Sequence, residues 1–146
     1  MPQVTPFLWF DKQAEEAASL YVSLFPNSKI TEKNPMTVSF ELDGRAFIGL
    51  NGGPHFQFNE AVSFMIHCKD QEEADHYWYK LTADGGQESQ CGWCKDRWGL
   101  SWQITPRALT EAMAAGGEEA QRVFTAMMGM RKIDIAAIEA ARHASR

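Results

Sequence analysis

Two stretches decide how this chain folds: PFLWFDKQAEEAASLYVSL, Pro6 to Leu24, and SFMIHCKDQEEADHYWYKL, Ser63 to Leu81. They line up at a constant offset of 57 residues. Phe7 falls on Phe64, Glu15 and Glu16 on Glu72 and Glu73, Ala17 on Ala74, Tyr21 on Trp78, and Leu24 on Leu81. Each copy opens with an apolar run of strand length and passes into helical spacing. In the first, Ala14, Ala17, Ala18, Tyr21 and Leu24 share one helical face, with Asp11 as the expected N-cap and Pro26 as the stop. In the second, Ala74, Tyr77, Trp78 and Leu81 do the same, and Asp70 with Glu73 reads as a capping box.

After each helix the period changes to that of strands. KITEKN, MTVSFELD and RAFIGLN follow the first helix, with the hairpin signal Asp43-Gly44 between the last two. GQESQCGWCKD and LSWQITP follow the second. Each half therefore reads β-α-β-β-β, and two such halves make an α+β domain with helices over sheets. We expect modules at about residues 1–53 and 61–106, forming a curved mixed sheet around a cavity. NGGPHFQFNEA, Asn51 to Ala61, is the join, and its Gly-Gly-Pro marks a tight turn rather than a phosphate cradle, since no helix start or Gly-Lys-Ser/Thr follows. Residues 107–146 read as a helical extension of the same domain. Met113, Phe124, Met127, Met128, Met130, Ile133 and Ile138 give it apolar stripes. These suit packing on the sheet or a second subunit, or else an adaptable surface for ligands.

Bulk properties narrow the setting. The chain has 146 residues, 45% apolar and 23% charged, which suits one soluble domain with its own core. A net charge of −5 argues against a nucleic-acid partner. No apolar run approaches the ~20 residues of a membrane span. The N-terminus lacks the basic and apolar regions of a signal peptide, and three cysteines make no disulfide framework. A reducing cytoplasm is the expected location.

TPFLWFDKQAEEAASLYVSLFPNSKI, LNGGPHFQFNEAVSF, QCGWCKDRWGLSWQI and RVFTAMMGMRKIDIAAIEAA together resemble the PhnB-like family. That family carries the label 3-demethylubiquinone-9 3-methyltransferase domain and belongs to the glyoxalase, bleomycin-resistance and dioxygenase fold, the vicinal oxygen chelate superfamily. The resemblance implies paired βαβββ modules around a cavity, often in a homodimer. Metal-using members place His and Glu at the starts of the first strands and late in the last strands. In this chain those places fall near Val4 or Thr5, at Ala61 or Val62, at Asn51 and at Gln103. One Gln and one Asn are a poor set for a divalent ion, so no metal and no cofactor are expected. The methyltransferase label meets a separate obstacle: no G-x-G-x-x-G turn follows a strand.

Cys91 and Cys94 stand at C-x-x-C spacing, in what reads as a strand. Residues three apart on a strand face opposite ways, so neither a disulfide nor a thioredoxin-type centre is expected. Cys68 alone cannot complete a zinc site. If either thiol is reactive, Cys91 is the better candidate. His55 and His67 could approach the cavity rim, while His76 and His143 read as surface residues. The candidate cavity residues are Trp9, Asn51, His55, Phe64, Cys91, Trp93 and Gln103: aromatics for a planar or apolar body, with a few polar groups to orient it. The expected function is metal-free binding of a small organic molecule, in the manner of bleomycin-resistance proteins. The alternatives are an enzyme of the superfamily (lyase, isomerase, oxygenase or, following the family label, methyltransferase) and a purely structural module.

Overall fold

A computed structural model describes residues 2–144 of the protein. The chain divides after Phe58 into two compact units, each holding one module.

In the first unit the order is β1 (Phe7–Phe10), α1 (Ala14–Leu24), β2 (Lys29–Lys33), β3 (Thr37–Leu42) and β4 (Arg45–Asn51). The sheet order is β1-β4-β3-β2, with β1 parallel to β4 and the other pairs antiparallel. Strand alternation puts Leu8, Phe10, Val38, Phe40 and Leu42 on one buried face, where α1 covers them with Ala14, Ala17, Ala18, Tyr21 and Leu24. Phe7, Trp9, Ile48 and Leu50 share the other face.

The second unit repeats the plan: β5 (Ser63–Cys68), α2 (Gln71–Thr82), β6 (Gln87–Glu88), β7 (Trp93–Lys95) and β8 (Ser101–Pro106), in the order β5-β8-β7-β6. Ile66, Cys68, Cys94, Trp102 and Ile104 are buried beneath Ala74, Tyr77, Trp78 and Leu81 of α2. Three helices follow: α3 (Arg107–Ala115), α4 (Gly117–Met128) and α5 (Ile135–Arg142). They form a small core of Leu109, Ala112, Val123, Ile133 and Ile138. No helix of the described residues is long and apolar enough to cross a membrane.

Three expectations need correcting. The first concerns the cap of α1. Asp11 does not supply it; the helix starts at Ala14, whose N–H donates to the Asn51 side-chain oxygen at 2.9 Å. The acceptor comes from the end of β4, a tertiary contact that local spacing could not show. Asp70 does cap α2, accepting from Glu73 N–H at 2.9 Å, while the Glu73 carboxylate accepts from Lys69 N–H at 3.0 Å.

The second concerns the repeat. Three residues separate β1 from α1 but only two separate β5 from α2. The helices match at an offset of 57, but the strands match one residue later. Phe7 therefore corresponds to Met65 rather than to Phe64, and Leu8 to Ile66. The third is Cys91, which lies in a turn before β7 rather than in a strand.

Candidate functional site

The face of the second sheet turned away from α2 carries a cleft of about 350 Å³. Its floor is Met65 on β5, Trp93 on β7, and Gln103 and Thr105 on β8. Register puts them together: Met65 and Trp93 both pair with Gln103, on its two sides. The wall is helical, with Leu109, Thr110 and Met113 from α3 and Met127 from α4, and Cys91 lines the rim. Gln103 Nε2 donates to Ser63 Oγ at 2.8 Å, which fixes the amide plane without using its carbonyl oxygen. His67 shares this face of β5, opposite Thr105, and is exposed.

Cys91 and Gly92 are both left-handed, at φ 60° and 84°. Their N–H groups donate to Met130 O and Arg131 O, each at 2.8 Å, and Gly92 O accepts from Ile104 N–H at 2.7 Å. The turn thus ties the helical extension to β8. A Cβ on Gly92 would stand 3.0 Å from both Ile104 O and Ile133 Cγ1, so only glycine fits. Cys94 points the other way and is 1% exposed. Burial pushes the Cys94 and Cys68 thiols up to about 12, which keeps both protonated and unreactive at neutral pH. All three cysteines are free thiols.

Of the seven candidate residues, Cys91, Trp93 and Gln103 meet at this cleft. Phe64 does not join them; its ring tilts against Trp102 at 5.6 Å, on the α2 side of the sheet. Trp9, Asn51 and His55 lie in the other unit, around its Gly-Gly-Pro join. Trp9 Nε1 donates to Gly53 O at 2.9 Å, and its ring meets Phe56 edge-on at 4.8 Å. The backbone at Gly52 lies directly under the indole, where a Cβ would come within 2.4 Å of Trp9 Cζ2. Asn51 spends its amide on Ala14 N–H and Pro35 O. The Trp9 and Asn51 side chains thus clasp the chain, with the indole N–H and both ends of the amide engaged. The candidate list left out Met65, Thr105, Leu109 and Thr110, and gave Met113 and Met127 only as part of a tail stripe suited to packing or to ligands. The first two were within reach of strand alternation from Gln103, but no local signal shows that α3 and α4 cross this face.

The fold's usual divalent ion can be tested against these donors. With strands matched as the structure has them, the counterpart of Gln103 in the first unit is Ile48, a residue with no donor atom. Ser63, Gln103 and Thr105 offer only neutral oxygens or an amide. Among the described residues, no three His, Cys, Asp or Glu side chains gather into a group able to hold a metal. The set does not fit a hard or borderline divalent ion, which wants imidazole and carboxylate.

Comparison with known proteins agrees with this architecture. The family profile described as 3-demethylubiquinone-9 3-methyltransferase matches residues 2–105, ending just before α3. A comparison with curated proteins finds no match. Among solved structures, a PhnB protein from Bacillus cereus, described as a 3-demethylubiquinone-9 3-methyltransferase, is 29% identical with a TM-score of 0.66. The match covers 72% of this chain and 99% of that one. A protein from Pseudomonas aeruginosa matches at 17% identity and TM-score 0.59, over 73% of this chain and 98% of its own. A glyoxalase-related enzyme from Fulvimarina pelagi shares the fold at 15% identity and TM-score 0.52, over 75% and 91%. The chain belongs to the PhnB-like family described as 3-demethylubiquinone-9 3-methyltransferase.

Proposed function

We propose that this protein binds a small organic molecule with a planar or apolar body in the cleft of its second unit, without a divalent metal, as bleomycin-resistance proteins do. One observation carries the reading: Trp93, Met65 and Leu109 offer an apolar bed, while Gln103, held by Ser63, and Thr105 offer orienting polar groups within about 350 Å³. Methyl transfer has less support. The turns that lead from β1 to α1 and from β5 to α2 contain no glycine, and both helices open with paired glutamates, Glu15/Glu16 and Glu72/Glu73. Neither is a Gly-rich dinucleotide-type turn. The same reading includes a homodimer and a cytoplasmic location. The face of the first sheet turned away from α1, with Phe7 60% exposed beside the half-buried Ile48 and Leu50, supports the dimer.

The test is a thermal-shift screen of aromatic antibiotics, quinones and thiol conjugates with chelator present. At a hundredfold excess over Kd a ligand adds about 2.7 kcal/mol, or roughly 5–10 °C in Tm for a chain of this size. Trp93→Ala and Gln103→Ile should abolish the shift while leaving the fold intact. A hit whose shift survives both variants, or appears only with added metal, overturns the reading.

A further inference from the structure

The face that lacks hard donors carries soft ones. Met65, Met113 and Met127 line the cleft together with Cys91, and the Cys91 thiol touches Met128 Sδ at 3.9 Å. We infer that these sulfurs form a site for a soft monovalent metal ion, copper(I) in chemical class, seated between Met128 and Cys91 on the rim of the cleft. The inference stands apart from the organic-ligand reading and does not depend on it.

Three observations support it. The first is spacing. Two sulfurs each ~2.3 Å from one ion stand about 3.8–4.0 Å apart at tetrahedral to trigonal angles. The Cys91–Met128 separation already has that value. The second is composition. One thiolate with thioethers is the donor set that selects copper(I) over zinc and the hard ions. Met65, Met113 and Met127 line the same cleft as Cys91, and their unbranched, three-torsion chains are suited to supply a third sulfur. Met65, Met113 and Met128 are 46%, 41% and 51% exposed, so core packing does not explain their presence here. The third is preorganisation. Cys91 is held at φ 60° by N–H bonds from Cys91 and Gly92 to the carbonyls of Met130 and Arg131, just past the end of α4, which carries Met127 and Met128. The tie holds the Cys91 backbone beside the end of α4 that carries the methionines. Binding would release the Cys91 thiol proton to solvent and would involve no change of oxidation state.

The experiment is an anaerobic titration of the whole chain with copper(I) against a chromophoric copper(I) chelator, with silver(I) as a redox-silent second probe. The expected result is one ion per chain. Cys91→Ser should weaken it by roughly a hundredfold and Met128→Leu, which conserves volume, by roughly tenfold. Cys68→Ala and Cys94→Ala should leave it unchanged. Absence of stoichiometric copper(I) binding overturns the site. So does an affinity that follows Cys68 or Cys94, equal displacement by zinc(II), or Met128→Leu and Met127→Leu both matching the unaltered protein, which would leave only a lone thiol. Organic ligands are screened separately by thermal shift without copper, so failure of one proposal is visible while the other stands.

Discussion

The two modules share one string of elements but differ by a single residue in the strand-to-helix turn, so their helices and their strands match at different offsets. The first turn is Asp11-Lys12-Gln13; the second is Lys69-Asp70. Because strand side chains alternate, aligning the strands at the helices' offset would exchange every inward and outward position. With strands matched by structure, Phe7, Trp9, Ile48 and Leu50 in the first unit correspond to Met65, His67, Gln103 and Thr105 in the second. One face is apolar and aromatic; its counterpart is polar and sulfur-bearing. The first unit closes its longer turn with Asn51, while the second has Pro106 at that place and continues into α3. The two copies keep one frame but differ in the composition of the face turned away from the helix.

The largest expected difference lies in the connections between the last two strands of each module. The first uses the two-residue hairpin Asp43-Gly44, both left-handed, at φ 50° and 80°. The second uses a five-residue loop, Asp96 to Leu100, gathered around a buried carboxylate. Asp96 is 2% exposed and accepts from Trp98 N–H at 3.0 Å, Leu100 N–H at 3.1 Å and Trp102 Nε1 at 2.9 Å. Asp96→Ala leaves these donors without their acceptor and should cost roughly 4 kcal/mol in urea unfolding. Asp43→Ala should cost about 1 kcal/mol or less. Equal effects would mean that the two connections are energetically alike.

Gly92→Ala ranks next. It combines a left-handed backbone, about 1–3 kcal/mol, with a Cβ 3.0 Å from Ile133 and from the Ile104 carbonyl. We expect a loss of roughly 3 kcal/mol, with hydrogen exchange accelerated first in residues 130–142. Exchange rising uniformly through the first unit as well would show that the extension is not anchored at this turn.

A smaller pair of substitutions tests the crossed cap. Asn51→Ala should cost about 1 kcal/mol, the usual worth of an N-cap, whereas Asp11→Ala should stay within roughly 0.5 kcal/mol. The reverse order would return the cap to Asp11.

These contrasts show what the residues alone could reveal. The β-α-β-β-β repeat, the α2 capping box and three tail helices were legible because each is written in local period and local capping residues. The α1 cap was not, because Asn51 lies 37 positions from Ala14. Phe64, named among the cavity residues, turns to the α2 side instead, and strand alternation alone does not say which side of β5 the helix covers. Cys91 read as strand because apolar alternation runs through a turn whose left-handed backbone no side chain announces. The cleft wall was hidden for a different reason: a stripe of Met and Leu says that a helix packs, but not on what.

The smallest expected effect concerns how each helix holds its neighbour by charge. On α1, Glu15 pairs with Lys33 at 2.8 Å, with both side chains 58% exposed. On α2, Asp75 pairs with Lys132 at 2.8 Å, with side chains 36% and 27% exposed, and Lys132 also meets the Tyr79 hydroxyl at 3.1 Å. Burial pushes the Asp75 carboxyl up, but hydrogen bonds from Lys132 and Gln71 outweigh it and hold it below the usual range. The hydrogen bond to Asp75 holds Lys132 above its own. The depressed carboxyl contributes stability that is complete above the unfolded value near ~3.9 and fades as pH falls through the folded one. The raised ammonium contributes stability that is complete below ~10.4 and fades as pH rises through the folded value. Lys132→Met should therefore lower stability by a constant amount between about pH 5 and 9, under roughly 1 kcal/mol for so accessible a pair, with the difference shrinking outside that window. Lys33→Met should give a difference close to zero throughout. A Lys132→Met effect that stayed the same on acidification through the Asp75 range would assign the contact's worth to Tyr79 rather than to the ion pair.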